Sequence, residues 1–474
     1  MKIKVTNQRA YALDALRGYA IITMVLSATI ASGILPAWMY HTQTPPPSHV
    51  FNPNLSGLTW VDLVFPFFLF AMGAALPFSI GKRIEKGERK IQLVWDALKR
   101  GLQLTFFAIF IQHFYPYVLS SPQDIRAWGL ALLAFALLFP MFMRIPLKLP
   151  VWAHTTIKLS AYAIAFILMV TAKYADEDTW SLYHSNIIII LLANMAFFAS
   201  VVYIFTRQSR WSRIAVLICL MALILSSRTN GSWTQAVFNF SPFPWMYKFT
   251  YLKYLFIVIP GSFAGEYLVE WMNKRNTSAS QVETRDTKLS IQFLFLTFVI
   301  IISNLYFLYC RLLVTNLITT ASLLVLGFFF LRNSKGYNQQ LWKNLFYTGA
   351  FLLMLGLFFE PFEGGIKKDP ATFTYYFVTS GLAFMALLAL NIICDFYGCV
   401  RSTKFMVMSG QNPMIAYVAG DLLIMPVFGL LGITPLLDYF NINVGLGFLR
   451  GVILTAIAVL VTMFFTKIKW FWRT

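Results

Sequence analysis

Two histidines and an aspartate mark where acid–base chemistry is most concentrated in this chain. The loop 36–58, which begins PAWMYHTQTPPPSHVF, carries His41 and His49 on either side of three consecutive prolines. Asp62 follows between Trp60 and the apolar run LVFPFFLF, about one turn into a helix. An imidazole titrates near pH 6.5, so either histidine can serve as a general base or a nucleophile, or hold the loop together structurally. His113 and His184 compete for the role, but lack the proximity to Asp62. A carboxylate inside an apolar span is costly and points to function, unless it caps its helix from the interface.

Three further groups carry polar chemistry. Asp14 and Arg17, three apart in LDALRG, share a helix face; they pair as a staple at the membrane boundary or hold a phosphate-bearing ligand. The stretch FFEPFEGGIKKDPATFTYYFVTSG at 358–381 sets Glu360, Glu363, Lys367, Lys368 and Asp369 between two helices. Its lysines either bind an anion or pair with the adjacent acids. In SGQNPMIAYVAGD at 409–421, Gln411 and Asn412 precede Pro413 at the start of a span, and Asn412 and Asp421 should face a bundle interior. Cys219, Cys310, Cys394 and Cys399 fit no zinc or redox spacing and read as soft packing residues. No metal site is expected.

The elements that position these groups are membrane helices. The chain has 474 residues, 58% of them hydrophobic and only 12% charged, with a mean hydropathy of +0.66. That composition excludes an ordinary soluble enzyme. Its apolar runs have the length a helix needs to cross about 30 Å of hydrocarbon. The formal charge of +19 is scattered over short loops, which is a topological signal rather than a nucleic-acid stripe. The pattern predicts an all-α polytopic bundle of about 11–14 spans. The fourteen candidates are 13–35, 59–80, 100–119, 126–143, 153–172, 186–206, 212–228, 251–272, 289–309, 311–331, 345–362, 373–394, 405–432 and 446–467.

Orientation follows from the basic residues. With the N-terminus cytoplasmic, the segments 1–12, 81–100, 144–158, 207–213, 273–288, 332–343, 394–404 and 467–474 lie inside and hold most of the 38 Lys and Arg. Both termini are then cytoplasmic, the first helix is retained rather than cleaved, and the histidine loop faces out. The polar linker 273–288 divides a single integral-membrane domain into halves 1–272 and 289–474. The aromatic segment 228–254 reads as an outer loop lying at the interface.

Taken together, LDALRG, a loop histidine, GLTWVDLVFPFFLFAMG, and near the C-terminus GQNPMIAYV and KIKWFW resemble the heparan-α-glucosaminide N-acetyltransferase family and its bacterial relatives. The likeness covers the first 80 residues and the last 110. It implies a membrane acyltransferase that takes acetyl-CoA from the cytoplasm and acetylates a sugar amine or hydroxyl on the far side of an inner membrane. By that resemblance the catalytic histidine is His49, eight residues before Gly57, or His41, counted forward from LDALRG. The family places an Asn fourteen residues after the Asp of DxxRG; this chain has Ala28 there.

On this reading His49 or His41, with Asp62, carries catalysis, and Asp14, Arg17, Lys367, Lys368, Glu360 and Asn412 bind substrate or acetyl-CoA. The basic cluster Lys82, Arg83, Lys86, Arg89 and Lys90 attracts the CoA phosphates, or is ordinary positive-inside signal. Expected partners are the bilayer, a glycan or amino-sugar acceptor and a second copy of the chain, with no nucleic acid. The competing classes are a secondary transporter of sugars or cell-wall fragments, with Asp62, Glu360 and His49 as coupling sites, and a glycan-binding relative without turnover.

Overall fold

The computed structural model describes residues 9–143, 150–175, 179–277, 287–332 and 336–473. Among them no strand forms. Fourteen long helices occur: α1 Tyr11–Thr29, α2 Trp60–Glu85, α3 Lys90–His113, α4 Ile125–Phe142, α5 Val151–Thr171, α6 Ile187–Thr206, α7 Arg210–Ser226, α8 Phe249–Arg275, α9 Thr287–Tyr309, α10 Leu313–Phe330, α11 Tyr337–Phe362, α12 Phe373–Phe396, α13 Pro413–Leu430 and α14 Val444–Lys467. All but α3 and α7 are long and apolar enough to cross a membrane, which gives 12 candidate spans. The protein is therefore a multi-pass membrane protein. Most of the linker 273–288 lies outside the described residues.

Boundaries shift from the sequence expectation where local chemistry competes with hydropathy. Helix α1 stops at Thr29, because the stretch that follows folds into the histidine loop instead. Helix α3 starts ten residues early: KIQLVWDALKR is a good helix former although it is too charged for hydrocarbon. The expected span 405–432 breaks at Pro413 into a short helix, Lys404–Gln411, and α13.

The centre is built from α1, α2, α8 and α12, with α2 and α12 the most enclosed, while α5, α10 and α14 lie at the rim. Close backbone approach makes this centre. Gly261 and Gly265 on α8 form a GxxxG pair against α2, where a Cβ would fall 2.3 Å from the Phe70 oxygen and 2.2 Å from the Ala74 oxygen. On α1, Gly18 meets Met406 of the short helix as closely, and Gly410 meets Asp14. The C-terminal strand-like tail returns to this same end: Asn412 Nδ2 donates to the Trp470 oxygen and Arg473 N–H to that of Phe142. Both described ends therefore lie on one face, called here the terminal face. The histidine loop and residues 360–372 occupy the opposite one.

Candidate active site

The loop between α1 and α2 is held by its own polar groups. The Tyr40 hydroxyl donates to the Ala31 oxygen at 2.5 Å and accepts from Leu35 N–H, and Thr59 Oγ1 donates to the Tyr40 oxygen at 2.8 Å. His49 belongs to this scaffold: its Nε2 accepts from Gly33 N–H at 2.9 Å, its Nδ1 lies 3.2 Å from the Thr44 oxygen, and its ring stands edge-on to Tyr40. Both ring nitrogens are thus engaged by backbone.

His41 is placed differently. Its Nδ1 lies 2.7 Å from Asp62 Oδ1, and the carboxylate is buried. The other oxygen, Oδ2, accepts from the N–H and hydroxyl of Thr59 and from the N–H and hydroxyl of Thr42, at 3.0–3.3 Å. Asp62 therefore closes a capping box at the start of α2 with one oxygen and orients the imidazole with the other. The capping reading of Asp62 is realised, and its second oxygen also holds His41. A carboxylate on Nδ1 fixes the tautomer that leaves Nε2 as the base.

Lys368 arrives from the segment between α11 and α12. Its Nζ lies 3.1 Å from His41 Nδ1 and 3.2 Å from Nε2, a near-equal separation that sets the ammonium against the ring rather than in line with one nitrogen. The segment is clamped by Gln43, whose side chain accepts from Asp369 N–H at 2.8 Å and donates to the Asp369 oxygen at 2.5 Å. Part of Lys368 opens to the cavity, but burial of its ammonium pushes its pKa below the ordinary lysine value, against the opposing pull of Asp62 and Asp369.

His41 and Lys368 line one cavity of about 360 Å³, walled also by Ala28, Gln112, Tyr115, Asn186, Tyr417 and Asp421. Its size suits a small ligand such as a monosaccharide. Tyr417 donates to Asn186 Oδ1 at 3.0 Å. Below it, a small apolar cavity of about 30 Å³ between Ile21, Leu104, Phe107 and Pro413 shares Met24, Phe65, Ile188 and Tyr417 as wall residues with the larger one. One turn further along α1 and α3 stand Arg17 and Arg100, close enough to repel each other. Arg17 Nη1 donates to the Gly410 oxygen at 3.3 Å, and Arg100 Nε is buried without a hydrogen-bond partner.

The remaining predicted residues sit elsewhere. Asp14 takes Arg9 at 2.5 Å and lies 3.9 Å from Arg17. Glu360 is buried in an ion pair with Arg311 at 2.5 Å. Glu363 caps α12, and Lys367 faces a second cavity. Asn412 ties down the tail, its Oδ1 accepting from Trp472 N–H. His113 spans the Ile109 oxygen and Ser181 N–H beside His184. Arg83 of the basic cluster is taken by Glu88 and Asp96, both at 2.6 Å. Among the described residues no group of His, Cys, Asp and Glu is arranged to hold a metal.

Sequence reasoning missed Gln112, Tyr115, Asn186, Tyr417 and Arg100. The polar stretch QHFYPY at 112–117 and Tyr417 within PMIAYVAGD were the available signals. Arg100 was hidden among the basic residues 81–100.

A family model described as a domain of unknown function, DUF5009, matches residues 9–268, and the chain belongs to that family. The matched region contains His41, Asp62, Arg17 and Arg100 and ends before Lys368. No curated protein matches the chain.

Proposed function

We propose that this DUF5009-family membrane protein is an acyltransferase that moves an acetyl or other acyl group from acetyl-CoA to a sugar amine or hydroxyl on the opposite face of a cell inner membrane. The observation that supports the reading is His41, held by the buried Asp62 and lining a ligand-sized cavity, above a small apolar cavity whose helices carry Arg17 and Arg100 one turn further on. The basic loops favour a cytoplasmic terminal face, so the donor enters there and the acceptor meets His41 from outside. Arg17 and Arg100 hold the donor's phosphates. The pantetheine arm occupies the small apolar cavity, which must widen for it.

In the reaction, His41 Nε2 takes the proton of the acceptor N–H or O–H as that atom bonds to the thioester carbonyl carbon. The C–S bond then breaks, and the leaving thiolate receives the proton from His41. Asp62 holds the imidazolium in place, and the Lys368 ammonium steadies the oxyanion. Transient acylation of His41 is the two-step variant of the same chemistry.

The test is thermal stabilisation of the purified protein by acetyl-CoA, followed by transfer of labelled acetyl to glucosamine in proteoliposomes. Specific stabilisation and His41-dependent transfer are expected. Folded protein that shows no shift over a broad acetyl-CoA range overturns the reading in favour of transport or passive glycan binding.

A further inference from the structure

Two more cavities lie one above the other along α7, α11 and α12, away from His41. The upper one, on the histidine-loop face, has a volume of about 520 Å³ and is lined by Arg228, Lys253, Lys367, Gln235, Asn239 and Glu363. Its one carboxylate is already used: Glu363 accepts from Phe373 N–H, Thr374 N–H and the Thr374 hydroxyl at 3.0, 2.8 and 3.0 Å. Lys253 feels Arg228 on one side and Glu363 on the other, and rests its ammonium over the Phe238 ring at 5.5 Å. Three cations around one carboxylate leave a cavity with positive charge that the fold does not neutralise.

The lower cavity, about 550 Å³, has the opposite character. Leu217, Met221, Phe263, Phe351, Leu355 and Phe377 line it. At its far end Arg210 is held by Glu266 at 2.8 Å and Glu270 at 2.5 Å, so it offers no free charge. The two cavities lie along the same helices in register. Ile224 lines the upper and Met221 the lower on α7, one turn apart, as do Phe373 and Phe377 on α12, while Phe362 and Leu355 lie two turns apart on α11. Beside the upper cavity Trp233 is 73% exposed, as tryptophan side chains are at the headgroup level of a bilayer. Phe351 and Phe358 are exposed on α11 below it.

A basic polar chamber over an apolar one, at the boundary of a membrane protein, has the shape and polarity of a single amphiphile. We infer that α7, α11 and α12 form a binding site for an anionic membrane lipid, with its phosphate among Arg228, Lys253 and Lys367 and one hydrocarbon chain in the lower cavity. The inference is independent of acyl transfer, because none of these groups belongs to the His41 cavity.

The experiment is lipid retention by native mass spectrometry of the full-length protein in nanodiscs, comparing dioleoyl-phosphatidylglycerol with dioleoyl-phosphatidylcholine. Glycerol 3-phosphate in detergent serves as the soluble phosphate. Phosphatidylglycerol should be retained at least tenfold over phosphatidylcholine. A basic residue near a headgroup surface contributes roughly fivefold in binding, so the Arg228→Gln/Lys367→Gln double variant should lose about 25-fold. Leu217→Trp, which fills the lower cavity, should abolish lipid retention in protein that still melts within a few degrees of the parent. Equal retention of the two lipids, or undiminished phosphatidylglycerol in the double variant, overturns the inference. Tight binding of glycerol 3-phosphate with no effect of Leu217→Trp also overturns it, and assigns the upper cavity to a soluble anion. If Leu217→Trp does not fold, the surface double variant decides alone. His41→Ala should retain lipid normally, which separates this site from the transfer reading.

Discussion

The two polar cavities either side of residues 366–372 are built on opposite principles. Lys368 faces the one with His41, where Asp62 is hydrogen-bonded by three residues, His41, Thr42 and Thr59, and the imidazole has one defined orientation. Lys367, its sequence neighbour, faces the other, where three cations surround one carboxylate, Glu363, and none is in an ion pair among the described residues. A group that must move a proton has to be fixed before the substrate arrives, whereas a surface that holds a charged headgroup needs only an excess of one sign. On the two proposals above, adjacent residues on one segment serve different tasks, and substitutions should separate them.

The largest separation is expected from His41→Ala. Removing a general base should cost roughly 10²–10⁴-fold in acyl transfer measured with labelled acetyl-CoA, with lipid retention unchanged. His49→Ala should instead lower the melting temperature, since it strips Gly33 N–H of its acceptor, and leave the residual rate within an order of magnitude. If His49→Ala is the inactive variant, the assignment of the base is reversed.

Asp62→Asn comes next. Its amide would face the Thr42 and Thr59 donors with an N–H or lose the imidazole contact, so a rate loss of about 10²-fold should accompany a stability loss of roughly 1–3 kcal/mol in thermal melts. A smaller effect is expected for Arg100→Gln, which should raise the KM for acetyl-CoA by about tenfold while kcat changes little. Unchanged KM would remove Arg100 from the donor route.

The finest test is the alkaline limb of the pH–rate profile. Burial lowers the pKa of Lys368, so its ammonium is lost at a lower pH than that of an exposed lysine, and activity that needs it should fall there as pH rises. Asp62 opposes that shift; hence Asp62→Asn should move the limb to still lower pH, and Lys368→Met should abolish it. A limb unaffected by Lys368→Met would leave the oxyanion role without support.

Much of the architecture was legible because hydrophobic length is local information. Runs of about 20 apolar residues, such as the one that contains LVFPFFLFAMG, read as membrane helices whatever surrounds them. The candidate site was legible in part: an ionisable residue in such a run, next to a loop with histidines, pointed to Asp62, which does meet His41. Hydropathy misplaced the start of α3, where helix propensity and charge disagree. It also could not see that Glu360 would be consumed by Arg311, or Asn412 by the tail, because those partners come from other elements.

The amino-acid sequence by itself determined a polytopic helical membrane protein with its reactive groups in the first loop and the 358–381 segment, since span length, apolar composition and helix-ending prolines act over a few turns. Only tertiary structure decided that His41 rather than His49 meets Asp62 and lines the cavity. That choice depends on Lys368, 327 residues away, and on Gln43 clamping the segment that carries it. It also set Arg100 opposite Arg17 and stacked the basic chamber over the apolar one. Such contacts join distant elements through packing, which no local pattern of residue types encodes.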